Sequence, residues 1–154
     1  MFQKSIVHLR ILLPVYLFRY SNMSKIFNIS EAATIALHSM ALIARSDKLM
    51  NTQEIAEKTG FSKNHISKIL QQLVKNGYLI STRGPKGGFL VSDKARNASL
   101  LEIYNLIEGE LEDYTSCKMH CDDCPFQSCI FGGLEQKFSN EFKKHLSEKK
   151  VVEV

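Results

Sequence analysis

Several features that define common protein classes are absent from this sequence of 154 residues. No apolar run approaches the roughly 20 residues that a transmembrane helix needs. There is no G-x-G-x-x-G fingerprint, no P-loop and no convincing set of nucleophile, base and acid. Internal repeats and low-complexity stretches are missing too. These absences predict a cytoplasmic globular protein that is not an enzyme and has no membrane partner.

The first 22 residues differ from the rest of the chain. Their apolar run, residues 11–18, is interrupted by Pro14, is too short to span a membrane and is not followed by a small-residue cleavage pattern. Met23 then precedes a well-formed helix start. We therefore expect translation to begin at Met23 and residues 1–22 to be a misassigned start, with a disordered or membrane-touching arm as the alternative.

Acidic residues are scarce in the middle of the chain. Residues 61–96 contain seven basic residues and a single acid, Asp93, whereas residues 101–135 contain eight acids and a single lysine, Lys118. A surface of one sign suits a polyanion such as DNA, although a solvated face can also be one-signed by chance.

The basic block contains a helix-turn-helix pattern. Ser30 is placed to cap a first helix, Asn51 and Glu54 form a capping box for a second that ends at Gly60, and Ser62 caps a third. The third helix has apolar residues at i, i+3 and i+4 spacing, which predicts one buried face. Its polar face predicts contact with the major groove through these residues: Ser62, Lys63, Asn64, His65 and Lys68.

A hairpin pattern follows the third helix. Residues 78–82 and 89–91 favour strands, and the glycine-rich turn between them carries Arg83 and Lys86. This position predicts a wing whose basic residues reach phosphates or the minor groove. A capping box at Ser99 then opens a further helix. The expected fold is mainly α with a small β-hairpin: a winged helix-turn-helix domain followed by a long C-terminal dimerisation helix.

The cysteines lie within thirteen residues, at Cys117, Cys121, Cys124 and Cys129. Closely spaced thiolates can converge on one metal centre, and the spacing alone leaves both an iron–sulfur cluster and zinc possible. Two disulfides are disfavoured because an intracellular DNA-binding protein lies in a reducing compartment. His120 could replace one thiolate, although a histidine beside a ligand is more often a bystander.

Beyond the cysteines, apolar residues recur every three or four positions: Phe131, Leu134, Phe138, Phe142 and Leu146. This stripe predicts a helix that buries one face. Because the domain core looks complete without it, we expect the stripe to form a dimer interface with a second copy of the chain. The charged tail after Leu146 is expected to fray.

The sequence from about Met23 to Leu146 resembles the Rrf-two superfamily of winged-helix transcription regulators, which includes the IscR-, NsrR- and RirA-like iron–sulfur regulators. The stretches that carry the resemblance are Glu54-Ile55-Ala56-Glu57, the helix from Ser62, the wing Arg83-Gly84-Pro85-Lys86-Gly87-Gly88-Phe89-Leu90, and Leu101-Glu102-Ile103-Tyr104-Asn105-Leu106-Ile107-Glu108-Gly109. The wing is the most specific. The resemblance implies a homodimer on double-stranded DNA, with the C-terminal helix crossing between subunits. It also implies a 2Fe-2S or 4Fe-4S iron–sulfur cluster, and operator binding that responds to redox state, nitric oxide, iron or cluster status.

The cysteine pattern departs from this resemblance at one position. The three-cysteine loop of the family maps onto Cys117, Cys124 and Cys129, which leaves Cys121 as an extra thiolate. Gly132 stands where some members have a histidine ligand, so Cys121 is the expected fourth ligand. Relatives that take a ligand from the partner's first helix would here offer only His38 or Glu31, which rank below Cys121.

These expectations divide the chain into four parts. Residues 1–22 precede the protein proper, 23–112 form the winged helix-turn-helix domain, 113–130 form the cluster-binding loop, and 131–154 form the dimerisation helix and tail. Two alternatives stay open: a winged-helix regulator with structural zinc or redox-active thiols, and a small iron–sulfur redox protein.

Overall fold

The computed structural model describes residues 29–111, 126–127 and 130–154. Residues 1–22 and the predicted cysteine ligands lie outside these ranges. The helices are α1 Glu31–Ala44, α2 Thr52–Thr59, α3 Lys63–Lys75, α4 Asp93–Asn97, α5 Leu100–Glu108, α6 Leu134–Glu148 and a 3-10 helix Val151–Glu153, and the strands are β1 Leu79–Thr82 and β2 Gly88–Val91. The mainly α fold with one hairpin is thereby confirmed. None of the helices in the described ranges has the length and apolarity to cross a membrane.

Local capping signals set the helix boundaries around the helix-turn-helix. Ser30 Oγ accepts a hydrogen bond from Ala33 N–H at 3.0 Å and begins α1. Asn51 and Glu54 form the predicted capping box, in which Asn51 N–H donates to Glu54 Oε2 at 2.8 Å. Gly60 ends α2 with a φ of +77°, a conformation that favours glycine. Because such caps depend on neighbouring residues alone, the sequence predicts them well.

The hydrophobic core lies between α1, α3 and α5. Its fully buried large side chains include Ile35, Met40 and Ile43 of α1, Ile66, Leu70 and Leu73 of α3, and Ile103 of α5. Burying a side chain of this size stabilises the fold by about 1.5–3 kcal/mol. The apolar stripe predicted for α3 is therefore the face that holds it against the core, and the opposite face is left at the surface.

A short helix, α4, was not predicted from the sequence. Ser92 caps it by accepting a hydrogen bond from Ala95 N–H at 3.2 Å. Lys94 Nζ donates to Asn76 O at 3.0 Å and lies 4.1 Å from the centroid of the Tyr78 ring. Because Asn76 is the C-cap of α3, this lysine joins α4 to the end of α3. Helix α3 is the recognition helix, the one predicted to contact the major groove.

The C-terminal segment completes the core, which corrects two expectations. The domain core is not complete without α6, because Leu146 is only 6% exposed and packs in that core within its own chain. The tail does not fray, because Val151 is fully buried and its N–H donates to Ala98 O at 3.1 Å. Leu100 N–H also donates to Lys149 O at 2.8 Å. An apolar stripe shows that a helix face is buried, but it does not identify what covers that face.

Candidate functional site

Helix α3 has one apolar face in the core and one polar face at the surface. Of the predicted DNA-contacting residues, Ser62, Lys63, Asn64 and Lys68 are exposed, and His65 is half-buried. Ser62 Oγ accepts a hydrogen bond from His65 N–H at 3.4 Å, so Ser62 begins the helix and lies at its exposed end. Neither lysine forms an ion pair with a carboxylate of the described residues. Their charges are therefore available to a polyanion.

His65 differs from its neighbours because it has a contact outside the helix-turn-helix. Its Nδ1 lies 3.6 Å from Glu31 Oε1 in the first turn of α1. This distance is too long for a hydrogen bond, so the contact is an ion pair only when the imidazole is protonated. The sequence alone suggests Glu31 only as a remote candidate for a metal ligand. No local pattern reveals the contact, because it joins residues 34 positions apart.

His38, the other remote ligand candidate, has partners of a different kind. Its Nδ1 lies 2.8 Å from Thr34 O, one turn earlier in α1. Its ring meets Phe61 edge-on, with the two ring centroids 6.5 Å apart. His38 thus packs beside the turn that joins α2 to α3.

The wing is a two-stranded antiparallel hairpin in which Thr82 pairs with Gly88 and Leu79 with Val91. Arg83 and Lys86 lie in its exposed tip, as predicted, and neither pairs with a carboxylate in the part of the chain that the structure describes. The two exposed basic side chains at the tip of the hairpin and the polar face of α3, a helix that is in contact with β1, together form a candidate surface for nucleic acid.

Two backbone hydrogen bonds join the second strand of the wing to the residue that precedes the N-cap of α2. Phe89 N–H donates to Met50 O at 2.9 Å, and Met50 N–H donates to Phe89 O at 3.2 Å. Met50 immediately precedes Asn51, the N-cap of α2, so β2 is joined to the start of the helix-turn-helix. A Cβ on Gly88 would lie 2.9 Å from the carbonyl carbon and oxygen of Met50, which explains why glycine is needed there. Gly88 of the wing motif therefore has a steric role.

Four exposed apolar side chains lie just before α6 and in its first half. Ile130 is 72% exposed, Phe131 60%, Leu134 49% and Phe138 42%. Phe142, in contrast, is half-buried, and its ring meets Tyr104 of α5 edge-on at 5.2 Å between centroids. The predicted dimer residues thus divide into an exposed set before the middle of α6 and an internally packed set after it.

The cysteine segment connects two helices that pack together. Helix α5 ends at Glu108 and α6 begins at Leu134, and the Tyr104–Phe142 contact joins them. Burial raises the pKa of Tyr104, and the nearby Glu108 carboxylate raises that pKa further. The phenol therefore stays protonated near neutral pH in this contact.

The residues available for a metal are the thiolates of that segment. Across residues 29–111, 126–127 and 130–154, no group of three or more His, Cys, Asp or Glu side chains could hold a metal ion. Four closely spaced cysteines provide soft sulfur ligands, and this donor set fits both an iron–sulfur cluster and zinc.

Comparison with known proteins agrees with this arrangement. A family model described as "Rrf2: Iron-dependent Transcriptional regulator" matches residues 29–154. BadM of Rhodopseudomonas palustris is 35% identical over 69 residues, which is 45% of this chain and 44% of BadM. NsrR of Bacillus licheniformis, a helix-turn-helix transcriptional regulator, is 30% identical over 79 residues, or 49% of this chain and 55% of NsrR. The matched stretch spans about half the length of both relatives.

The fold has a counterpart among solved structures. CymR of Bacillus subtilis, described as a global cysteine regulator, superposes with a TM-score of 0.64 at 18% sequence identity. The superposition covers 81% of this chain and 93% of CymR. With the helix-turn-helix, the wing and the matching family model together, this chain belongs to the Rrf2 family of transcriptional regulators.

Proposed function

We propose that this protein regulates transcription by binding double-stranded DNA as a homodimer, with an affinity that depends on a cysteine-held iron–sulfur cluster. Its function is binding and not catalysis. The proposal that the protein binds DNA rests on one observation: the polar face of α3 and the basic tip of the wing are both exposed. The proposed cluster depends on the four cysteine thiolates, and the proposed homodimer depends on the exposed apolar residues around the start of α6.

The DNA-contacting residues divide into two roles. Lys63, Lys68, Arg83 and Lys86 supply charge to phosphates or the minor groove, which sets affinity for any sequence. Ser62, Asn64 and His65 lie in the first turn of α3 and supply the polar atoms that distinguish base edges in the major groove.

Two substitutions test this division. Fluorescence anisotropy measures affinity across a salt series, using a duplex selected from a random library by the wild-type protein and an unrelated duplex. Lys86→Ala should weaken binding to both duplexes and lower the salt slope by about 1.8, the contribution of one phosphate contact from each subunit of the homodimer. Asn64→Ala should weaken binding mainly to the selected duplex, by about 1–3 kcal/mol.

Lys144→Ala is the matched control, because Lys144 is an exposed lysine on α6 and is not among the residues assigned to DNA. It should leave the salt slope unchanged. If Lys144→Ala and Lys86→Ala lower the slope equally, the charge effect is nonspecific and the wing has no part in binding.

Dimerisation is assigned to the exposed residues at the start of α6. Ile130, Phe131 and Leu134 present an apolar surface next to polar residues, and such surfaces commonly mark protein interfaces. Sedimentation of Leu134→Asp should give a monomer where the wild type gives a dimer. A wild-type monomer at micromolar concentration would contradict the assignment.

The cluster is assigned to Cys117, Cys121, Cys124 and Cys129. Iron is preferred to zinc because the family is described as iron-dependent. When bound, an iron–sulfur cluster supplies a centre sensitive to oxidants and to nitric oxide. The chain contributes the four thiolates, and the packing of α5 on α6 holds both ends of the segment that carries them.

The second candidate, structural zinc or redox-active thiols, is favoured by the same donor set.

Substitution of Cys121 tests the assignment of the fourth ligand. Cys121→Ala should lose most of the visible absorption of the anaerobically purified protein, whereas His120→Ala, at the adjacent position, should keep it. The opposite result would make His120 the ligand and Cys121 a bystander.

A further inference from the structure

The last turn of α5 precedes the cysteine segment in sequence and contacts the recognition helix. The carbonyls in the final turn of an α-helix have no partner within the helix. Asn105 O accepts a hydrogen bond from Gly109 N–H at 2.9 Å, which ends α5. The next carbonyl, Leu106 O, accepts a hydrogen bond from Gln72 Nε2 of α3 at 3.2 Å. A side chain of the recognition helix thus caps the helix that leads into the cysteines.

Gln72 lies close to the DNA-contacting residues on α3. It is one helical turn after Lys68, so the two side chains share one side of the helix. Gln72 is half-buried, whereas Lys68 is exposed. A shift in the last turn of α5 would therefore act on α3 directly beside the surface assigned to DNA.

A second contact joins the same turn to the other end of α3. Ser30 Oγ donates a hydrogen bond to Glu108 Oε1, across 78 positions of sequence. Ser30 is also the N-cap of α1, and the following residue, Glu31, lies 3.6 Å from His65 in the first turn of α3. The last turn of α5 thus reaches α3 directly through Gln72 and indirectly through the start of α1.

We propose that the last turn of α5 transmits the state of the cysteine segment to the recognition helix, with Gln72 and Glu108 as positioning residues. The inference rests on the proposed function, because it presupposes that the cysteines bind a cluster. Binding of a cluster by the cysteines shifts Gly109 and Glu110, the residues that directly follow α5. The two contacts convert this change into a different placement of α3.

The test compares DNA affinity of the full chain in two states. One state carries a cluster reconstituted anaerobically from iron and sulfide, and the other has been stripped with a chelator. The probe is the duplex selected by the wild-type protein. In the wild type, the two states should differ in affinity by about 10-fold, within the usual range for allosteric coupling. In the Gln72→Ala/Glu108→Ala double variant, the ratio should fall to within about 2-fold of unity.

Glu110→Ala is the matched control, because Glu110 is an exposed carboxylate nearer to the cysteines. It should keep the wild-type ratio. A second readout does not depend on DNA: hydrogen exchange of the α3 amides should slow on cluster loading in the wild type and in Glu110→Ala, but not in the double variant. Thermal unfolding confirms that each variant is folded.

The outcomes separate the inference from the proposed function. If the double variant keeps the wild-type ratio and the wild-type exchange pattern, this route of transmission is wrong while cluster control of DNA binding stands. If the wild type itself binds DNA equally in both states, cluster control is wrong and the inference falls with it. The inference is supported if the ratio of DNA affinities in the two states falls to near unity in the double variant but not in the wild type or in Glu110→Ala.

Discussion

Replacing Leu146 by alanine tests whether this residue belongs to the core of its own chain or to a dimer face. Leu146 is 6% exposed, next to the half-buried Phe142. The substitution removes three carbon groups, worth about 2.4 kcal/mol in transfer free energy at about 0.8 kcal/mol each. A residual cavity adds to this, so Leu146→Ala should lower the free energy of unfolding by about 3–4 kcal/mol.

Urea unfolding at several protein concentrations is the assay, with Leu134→Ala as the matched control. Leu134 is 49% exposed in the same helix, so its loss should cost less than about 1 kcal/mol within the chain. The loss of stability in Leu146→Ala should be the same at every concentration, because the contact is internal. The effect of Leu134→Ala should depend on concentration if it weakens a dimer. The placement of Leu146 in the core of its own chain would be refuted if the two variants lost the same free energy of unfolding. A loss in Leu146→Ala that disappears on dilution would refute it as well.

Three further predictions follow from individual contacts. Gly88→Ala should lower stability by about 1–3 kcal/mol and weaken DNA binding, because its Cβ would lie 2.9 Å from the Met50 backbone; thermal unfolding and anisotropy measure both effects. Val151→Ala should cost about 2 kcal/mol in urea unfolding, while Val152→Ala, at an exposed position, should cost far less. The raised pKa of Tyr104 favours its neutral form, so its contribution to stability is complete below the ordinary value of 10.0 and is lost as pH rises through the folded-state pKa. Unfolding measured above pH 10 should therefore show a steeper loss of stability in the wild type than in Tyr104→Phe.

Elements governed by local sequence were predicted from the sequence. The caps at Ser30, Asn51 and Ser62 involve residues two or three positions apart, and Gly60 needs only its own backbone freedom. The buried stripe of α3 follows from helical periodicity. The helix-turn-helix and wing could therefore be located without a structure, and so could the exposed lysines of the candidate site.

Features that depend on contacts between distant segments were not predicted. Helix α4 has only five residues, too few for a periodic pattern. The Glu31–His65 and Gln72–Leu106 contacts join residues 34 positions apart. The burial of Leu146 within its own chain was not predicted for a related reason: the apolar stripe on α6 is continuous in sequence, but the second half of α6 packs on α5.

Metal analysis of the whole chain, purified without oxygen, distinguishes an iron–sulfur cluster from zinc at the four cysteines. Iron, acid-labile sulfide and zinc are measured together with the visible absorption spectrum. The purified protein should be coloured and contain iron and sulfide with little zinc, and the colour should be lost when Cys121 is replaced by alanine. A colourless protein with stoichiometric zinc would contradict the assignment of an iron–sulfur cluster to the four cysteines.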